Sequence, residues 1–345
     1  MKVLHLLQSN RFSGAENVVC QIFGMAKNDP QLDMVYCSPD GQIRQALEKK
    51  DIPYVPLKRM KAAEVKRAIR EQRPDVIHAH DRSACVLAAL TVKKQRIVAH
   101  MHVNNNKGFK TFLKNCLWTL LSFRYKHIFW VSDSSFDQFP FHKLLKHKST
   151  VLYNVIDVQA LEKKAEEDAQ SYAYDVVYVG RLTYQKNPER LLQVLHKAVL
   201  QNSELKAAIA GTGEYANFVQ QYIDEHNLQS NVFYLGYVNN PAKLIKSAKV
   251  MVMTSRFEGT PMVALEAQSL GVPIVSTPVD GLRAVIENDC NGYLTEDDAL
   301  LVEYLEKIAC DEALHTRLHE NSLTKARVYN DTEKFYAAIK GAYSK

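Results

Sequence analysis

Twice along this chain of 345 residues, short and nearly uninterrupted apolar segments alternate with helical ones. The first series is KVLHLLQ, residues 34–37, residues 54–56, DVIHAH, RIVAHMH and HIFWVS. Helices are expected between them at 42–49, 62–71, 83–92 and 110–123. The series closes around LYNVID at 152–157. A charged helix at 161–169, without a notable apolar stripe, then reads as a connector. The alternation restarts with YDVVYVGRL, LKAAIAGTGE, NVFYLGYV, KVMVMTS and PIVSTPV. A strand apolar along its whole length must be covered on both faces, which implies parallel sheets sandwiched by helices. The expected fold is therefore α/β, with two facing Rossmann-like doubly wound domains. Ligands belong at the carboxyl ends of such strands. We expect a first domain at 1–156, a second at 157–330, and a helix within 331–345 that packs across the junction.

Such a chain is long enough for two full cores. Its net charge of +6 conceals an asymmetry. Residues 1–156 hold 25 Lys and Arg against 12 Asp and Glu, whereas the remainder holds 19 against 26. A basic half suggests a surface for anions. Nucleic acid is not expected, because no helix-turn-helix, RNP or zinc-finger pattern accompanies the charge. An anionic membrane surface or a phosphate-bearing acceptor fits better, with simple solvation of surface helices as the plainer reading. Six scattered cysteines without a C-x-x-C pair, and no signal peptide, suggest reduced thiols and a cytoplasmic setting, peripheral at the inner face of the plasma membrane. The apolar run at 116–122 is too short to span a bilayer.

Chemistry concentrates in MVMTSRFEGTPMVALEAQSLGVPIVSTPVDG, residues 251–281. A helix is expected over 261–270, with Thr260 as N-cap and Pro261 at the first helical position. It is almost wholly apolar yet contains Glu266, flanked by Met262, Val263 and Leu270. A carboxylate there is costly without hydrogen-bond partners. A second carboxylate, Glu258, lies eight residues earlier. At helical rise that is about 12 Å, roughly the reach from a ribose to a sugar across a diphosphate. Between them stand the free N–H groups of a helix N-terminus, a site for phosphate. The plainer reading makes Glu266 a capping group and Glu258 a solvated loop acid.

The Glu258–Glu266 spacing, E-x7-E, and the flanking SRFEGTPMVALEAQSLGVPIV and TPVDG resemble retaining glycosyltransferases of the GT-B fold, most closely glycosyltransferase family 4. The resemblance runs along essentially the whole chain and is densest at 180–281. It implies an N-terminal acceptor-binding domain, a C-terminal nucleotide-sugar-binding domain and an interdomain cleft. It also implies that Glu258 contacts the donor sugar and Glu266 the ribose, with Gly259, Thr260, Pro261, Met262 and Val263 near the diphosphate.

Other segments resemble the same family. VGRLTYQKN places Arg181 and Lys186 after a strand end, two cations suited to a diphosphate. The pair matches the family's G-R-x-x-x-x-K-N pattern, which implies stabilisation of the leaving nucleotide diphosphate. Ser13-Gly14-Ala15-Glu16 resembles the family's Gly-Gly-x-Glu loop, with Ser13 in place of its first glycine. Gly14 is therefore carried over as a phosphate or acceptor contact. Gly211-Thr212-Gly213-Glu214 resembles a Gly-x-Gly-Pro turn with Glu214 for proline, placing Gly211 and Thr212 along the donor cleft. Gly236-Tyr237-Val238 resembles the segment that meets the base, through Tyr237 and Val238.

Two H-x-H pairs, His78/His80 and His100/His102, are a rival signal. Alternate residues on a strand face one side, so each pair could converge on a metal, as in metal-dependent hydrolases. No companion carboxylate cluster at ligand spacing follows, and no D-x-D is present. The resemblance assigns His102 to the donor sugar near the reacting carbon, with His100 as the reserve. The segment at 107–126, KGFKTFLKNCLWTLLSFRYK, mixes cations with Phe, Leu and Trp118. It reads equally as a membrane-surface helix or a core helix with basic flanks.

The expected function is metal-independent transfer, with retention, of a sugar from a nucleotide diphosphate sugar, a UDP-sugar above all. The acceptor would be a cell-surface polysaccharide or lipid-linked oligosaccharide, as in bacterial capsule or exopolysaccharide assembly. No cofactor beyond the donor is expected. The alternatives are a metal-dependent hydrolase built on the histidine pairs, a non-catalytic nucleotide-sugar-binding subunit, and a sugar-nucleotide epimerase.

Overall fold

A computed structural model describes residues 1–102 and 109–344. The chain divides into two compact units, Met1–Val155 with Asp331–Lys345, and Ile156–Asn330. Each is a parallel sheet with helices on its faces.

The first unit holds β1 (Lys2–Leu6), β2 (Asp33–Pro39), β3 (Tyr54–Leu57), β4 (Val76–His80), β5 (Arg96–Met101), β6 (Tyr125–Trp130) and β7 (Ser149–Val151). Their order is β3-β2-β1-β4-β5-β6-β7, every pairing parallel. Strands β1, β4 and β5 are central and buried almost throughout, which is why they read as unbroken apolar runs. The helix Thr332–Ser344 belongs to this unit and packs on the helix Gly14–Ala26 and on β5. Its Lys340 and Tyr336 both reach Asp29, at 2.6 and 2.9 Å.

The second unit holds β8 (Val176–Val179), β9 (Ala207–Ala210), β10 (Val232–Gly236), β11 (Val250–Met253), β12 (Ile274–Ser276) and β13 (Gly292–Leu294), again all parallel, in the order β10-β9-β8-β11-β12-β13. Strand order reverses between β1 and β4 in the first sheet and between β8 and β11 in the second. The crevice beyond the strand ends at such a reversal is where open α/β sheets place ligands.

Two expectations need correction. The helix expected at 161–169 spans Val158–Glu167 and is more than a connector. It buries Leu161 and Ala165 and packs on the helices Ala242–Lys246 and Met262–Ser269. Two apolar residues one turn apart suffice to dock a short helix, although they make no conspicuous stripe. The helix expected at 261–270 spans Met262–Ser269, and Pro261 rather than Thr260 stands at its N-cap, with an extended ψ of 120°.

Candidate active site

In the second unit, the loops leaving β8 and β11 meet at the sheet reversal. Glu258 is almost fully buried, and Lys186 sets its ammonium 2.5 Å from the carboxylate. Ser255 donates to the same oxygen at 2.7 Å, and Gln185 reaches the other at 3.3 Å. Sequence reasoning had Lys186 and Glu258 facing different parts of a ligand. In the structure they face each other, so the carboxylate is held in one orientation and its charge is balanced.

The loops are tied by residues that the sequence did not single out. Arg256 stacks on the Tyr184 ring at 4.2 Å, donates to the Tyr184 carbonyl and pairs with Glu189. Its own N–H donates to the Gln185 carbonyl at 2.8 Å. Thr254 and Thr277 complete the framework, donating to the carbonyls of Asn187 and Ser255. Glu214, which stands where the resembled turn has proline, accepts from the Tyr184 N–H at 2.9 Å.

Glycine is obligatory where backbones cross. A Cβ at Gly211 would lie 1.8 Å from the Gly180 carbonyl oxygen, and one at Gly281 would lie 1.2 Å from that of Gly259. Gly281 thus fixes how closely the segment after β12 covers the Glu258 loop. Gly281→Ala must push that loop away, at a cost of about 1–3 kcal/mol or more. A lowered denaturant midpoint is the expected result, and an unchanged one would show that the loop yields freely.

The helix Met262–Ser269 begins directly after this loop. The N–H groups of Met262 and Val263 have no acceptor among the described residues, as expected of a first helical turn. On the same helix Glu266 is partly exposed. Burial of its carboxyl raises its pKa, and Lys164 on the neighbouring helix pulls it back. No group donates a hydrogen bond to it among the described residues. Arg181 is exposed and makes no ion pair among the described residues. Thr212 and Tyr237 are exposed and Val238 is half-buried on the loops after β9 and β10. Gly211 joins these loops, its N–H donating to the Gly236 carbonyl at 2.7 Å.

In the first unit, the H-x-H pairs do converge, and His5 of β1 joins them. His5 sits beside His78 in sheet register, and His80 beside His100. These four imidazoles and that of His102 form a buried stack of five: the rings of His78 and His80, and those of His100 and His102, lie 4.3 Å apart. His5 Nδ1 meets His80 Nε2 at 3.1 Å, and His80 Nδ1 meets His102 Nε2 at 2.9 Å. At the other end Tyr343 lies 2.7 Å from His78 Nδ1 and 3.4 Å from His5 Nε2. Burial drives all five toward neutrality, His5 down to about 3, while Asp81 opposes the shift at His102.

A neutral imidazole has one N–H, so one bond direction sets the whole chain. His78 Nε2 has no partner among the described residues, and a bare lone pair there costs less than a buried N–H. His78 then donates to Tyr343, Tyr343 to His5, His5 to His80 and His80 to His102, leaving the His102 proton on Nδ1. The ring nitrogens also form two potential metal-binding trios, His5/His78/His80 and His80/His100/His102. Among the described residues, neither nitrogen of His100 has a hydrogen-bond partner.

Gly14 opens its helix as expected and is exposed, but Ser13 spends its hydroxyl on the buried Glu16 carboxylate rather than on the helix backbone. The segment at 107–126 lies outside the described residues at 107 and 108. The rest forms the helix Phe109–Leu121, a three-residue 3-10 turn and the start of β6.

Residues 160–325 match the family described as Glycosyl transferases group 1, and residues 13–160 match that described as Glycosyltransferase Family 4. A UDP-Gal:alpha-D-GlcNAc-diphosphoundecaprenol alpha-1,3-galactosyltransferase of Escherichia coli is 23% identical, over 91% of this chain and 89% of its own. A capsular polysaccharide biosynthesis glycosyltransferase, CapM of Staphylococcus aureus, is 24% identical over 88% and 90%. Among solved structures, HepE of Anabaena in complex with UDP-glucose superposes with a TM-score of 0.85 at 21% identity, covering 100% of this chain and 99% of that one.

Proposed function

This chain belongs to glycosyltransferase family 4 and is a hexosyltransferase of the GT-B fold, and from that premise we propose that it moves a sugar, with retention, from a UDP-sugar to a polysaccharide or lipid-linked acceptor. The observation that carries the reading is the buried Lys186–Glu258 pair at the reversal of the second sheet, four residues before N–H groups that have no acceptor among the described residues. The names of the relatives support the choice of UDP and of a glycan or undecaprenyl-type acceptor.

In this reading Glu266 takes the ribose hydroxyls, which supply the donors its carboxylate lacks. Arg181 and the N–H groups of Met262 and Val263 take the diphosphate. Lys186 turns toward it as charge develops on the leaving oxygen, and Glu258, released, accepts from the donor sugar. The role of His102 at the sugar rests on the family resemblance. The bond from the anomeric carbon to the phosphate oxygen breaks while the bond to the acceptor oxygen forms on the same face. The acceptor proton passes to the departing diphosphate, and no metal enters the step. Four of the five histidines are tied to one another and to Tyr343, which favours a structural role over a hydrolytic metal centre.

The test is thermal stabilisation and nucleotide release with UDP-, GDP- and ADP-sugars, with and without chelator. Selective stabilisation by UDP-sugars, with chelator-insensitive release of UDP, is the expected result. Indifference to every donor together with stabilisation by zinc would overturn it. Glu266→Ala is expected to weaken UDP-sugar binding by about 10-fold or more, the loss of a charge-assisted contact. Unchanged binding in titration calorimetry would remove Glu266 from the site.

A further inference from the structure

Six of the large apolar side chains exposed on this protein fall within fifteen residues: Phe109, Phe112, Leu113, Leu117, Leu120 and Phe123. On a helical projection of 100° per residue, the first five cover an arc of about 140° of the helix Phe109–Leu121. The opposite side is already satisfied, with Trp118 and Asn115 fully buried. The helix is therefore apolar toward the core and apolar toward solvent. The patch extends sideways, because the Phe112 ring meets Phe141 at 5.9 Å and the helix His142–Leu145 exposes Leu144. At about 200 Å² for a large side chain, the exposed surface is roughly 800 Å², beyond what solitary surface leucines explain.

Charge identifies the occupant. From residue 82 to 132 the chain has nine Lys and Arg and no Asp or Glu. Lys114 and Lys126 are exposed in the patch region, and Lys143 and Lys146 are exposed around Leu144. Two copies of this chain meeting through the patch would bring cations together without an acid in the segment to balance them. A soluble anionic glycan would satisfy the lysines but not the phenylalanines. The geometry points to a lipid bilayer with anionic headgroups, the apolar arc entering the acyl boundary and the lysines remaining among the phosphates. The docking is peripheral: no helix among the described residues is long and apolar enough to cross a membrane. This inference goes beyond the transferase reading and stands independently of it.

The experiment is vesicle flotation of the full chain with phosphatidylcholine, alone or mixed with phosphatidylglycerol. Binding to the mixed vesicles is expected to be at least 10-fold stronger and to fall with added salt. Lys114→Gln with Lys126→Gln should remove about 30-fold of it, near the value expected for two surface lysines. Leu120→Ser with Phe123→Ser should lower it at least 10-fold while leaving the circular dichroism and melting temperature unchanged, because both side chains are exposed. No binding to the mixed vesicles, or binding indifferent to Leu120→Ser/Phe123→Ser, would overturn the inference. So would a wild-type dimer in sedimentation that this same pair of substitutions dissociates, since the face would then belong to a second copy.

Discussion

Glu258→Gln is expected to lower turnover by about 10²–10³-fold, the usual consequence of removing one organised electrostatic contact from a transfer site. The substitution preserves shape, so Ser255 and Gln185 still find an oxygen or nitrogen opposite them. What disappears is the counter-charge of Lys186, whose ammonium is itself largely buried. Breaking such a pair by removing one partner is costly, so a lowered melting temperature should accompany the loss. The two effects are separable. Lys186→Met with Glu258→Gln removes both charges and should recover most of the stability but none of the turnover. Wild-type turnover in Glu258→Gln would refute the role proposed for this carboxylate.

Acidification should destabilise the first unit. Each of its five stacked histidines is neutral when folded and has an ordinary pKa near 6.5 when unfolded. Between those values the unfolded chain binds more protons, so stability is lost as pH falls below about 6.5, continuing to about 3 for His5. For His5 the loss is about 1.4 kcal/mol per pH unit across that window, about 2 kcal/mol by pH 5, and the other four imidazoles act in the same direction. The readout is favourable, because both tryptophans, Trp118 and Trp130, are buried in this unit. Urea midpoints followed by tryptophan fluorescence should fall steeply from pH 6.5 to 5. A flat profile would mean that the imidazoles keep their charge state by some other means.

The sheets were legible in the sequence because their central strands are buried on both faces and so have no alternation to confuse the reading. Two of the four edge strands escaped it. Ser149–Val151 and Gly292–Leu294 are three residues long and have no apolar run. The helix at 109–121 was read two ways, as core or as membrane surface. Its burial supports the first for Trp118 and Asn115, and its exposed phenylalanines leave the second open.

In the candidate site the residue types were legible and their partnerships were not. Lys186 and Glu258 are 72 residues apart, and only the reversal of strand order between β8 and β11 brings them together. Arg256 and Gln185 act partly through backbone carbonyls, which leave no trace in residue type. His5 was passed over because a single histidine in KVLHLLQ has no partner in sequence. Its neighbours, His78 and His80, come from a strand placed next to β1 only by the sheet order.

Synthesis runs in one direction, and the first unit is not finished when its own 155 residues have been made. Tyr343, which meets His5 and His78, and Lys340, which neutralises Asp29, are translated only after the whole second unit. At about 5–20 residues per second, the ribosome needs roughly 10–40 s to cover that interval. Throughout it the nascent first unit lacks the helix that carries Tyr343, and His5 and His78 lack their hydroxyl partner. The later-encoded unit thus has time to fold before the earlier one can close.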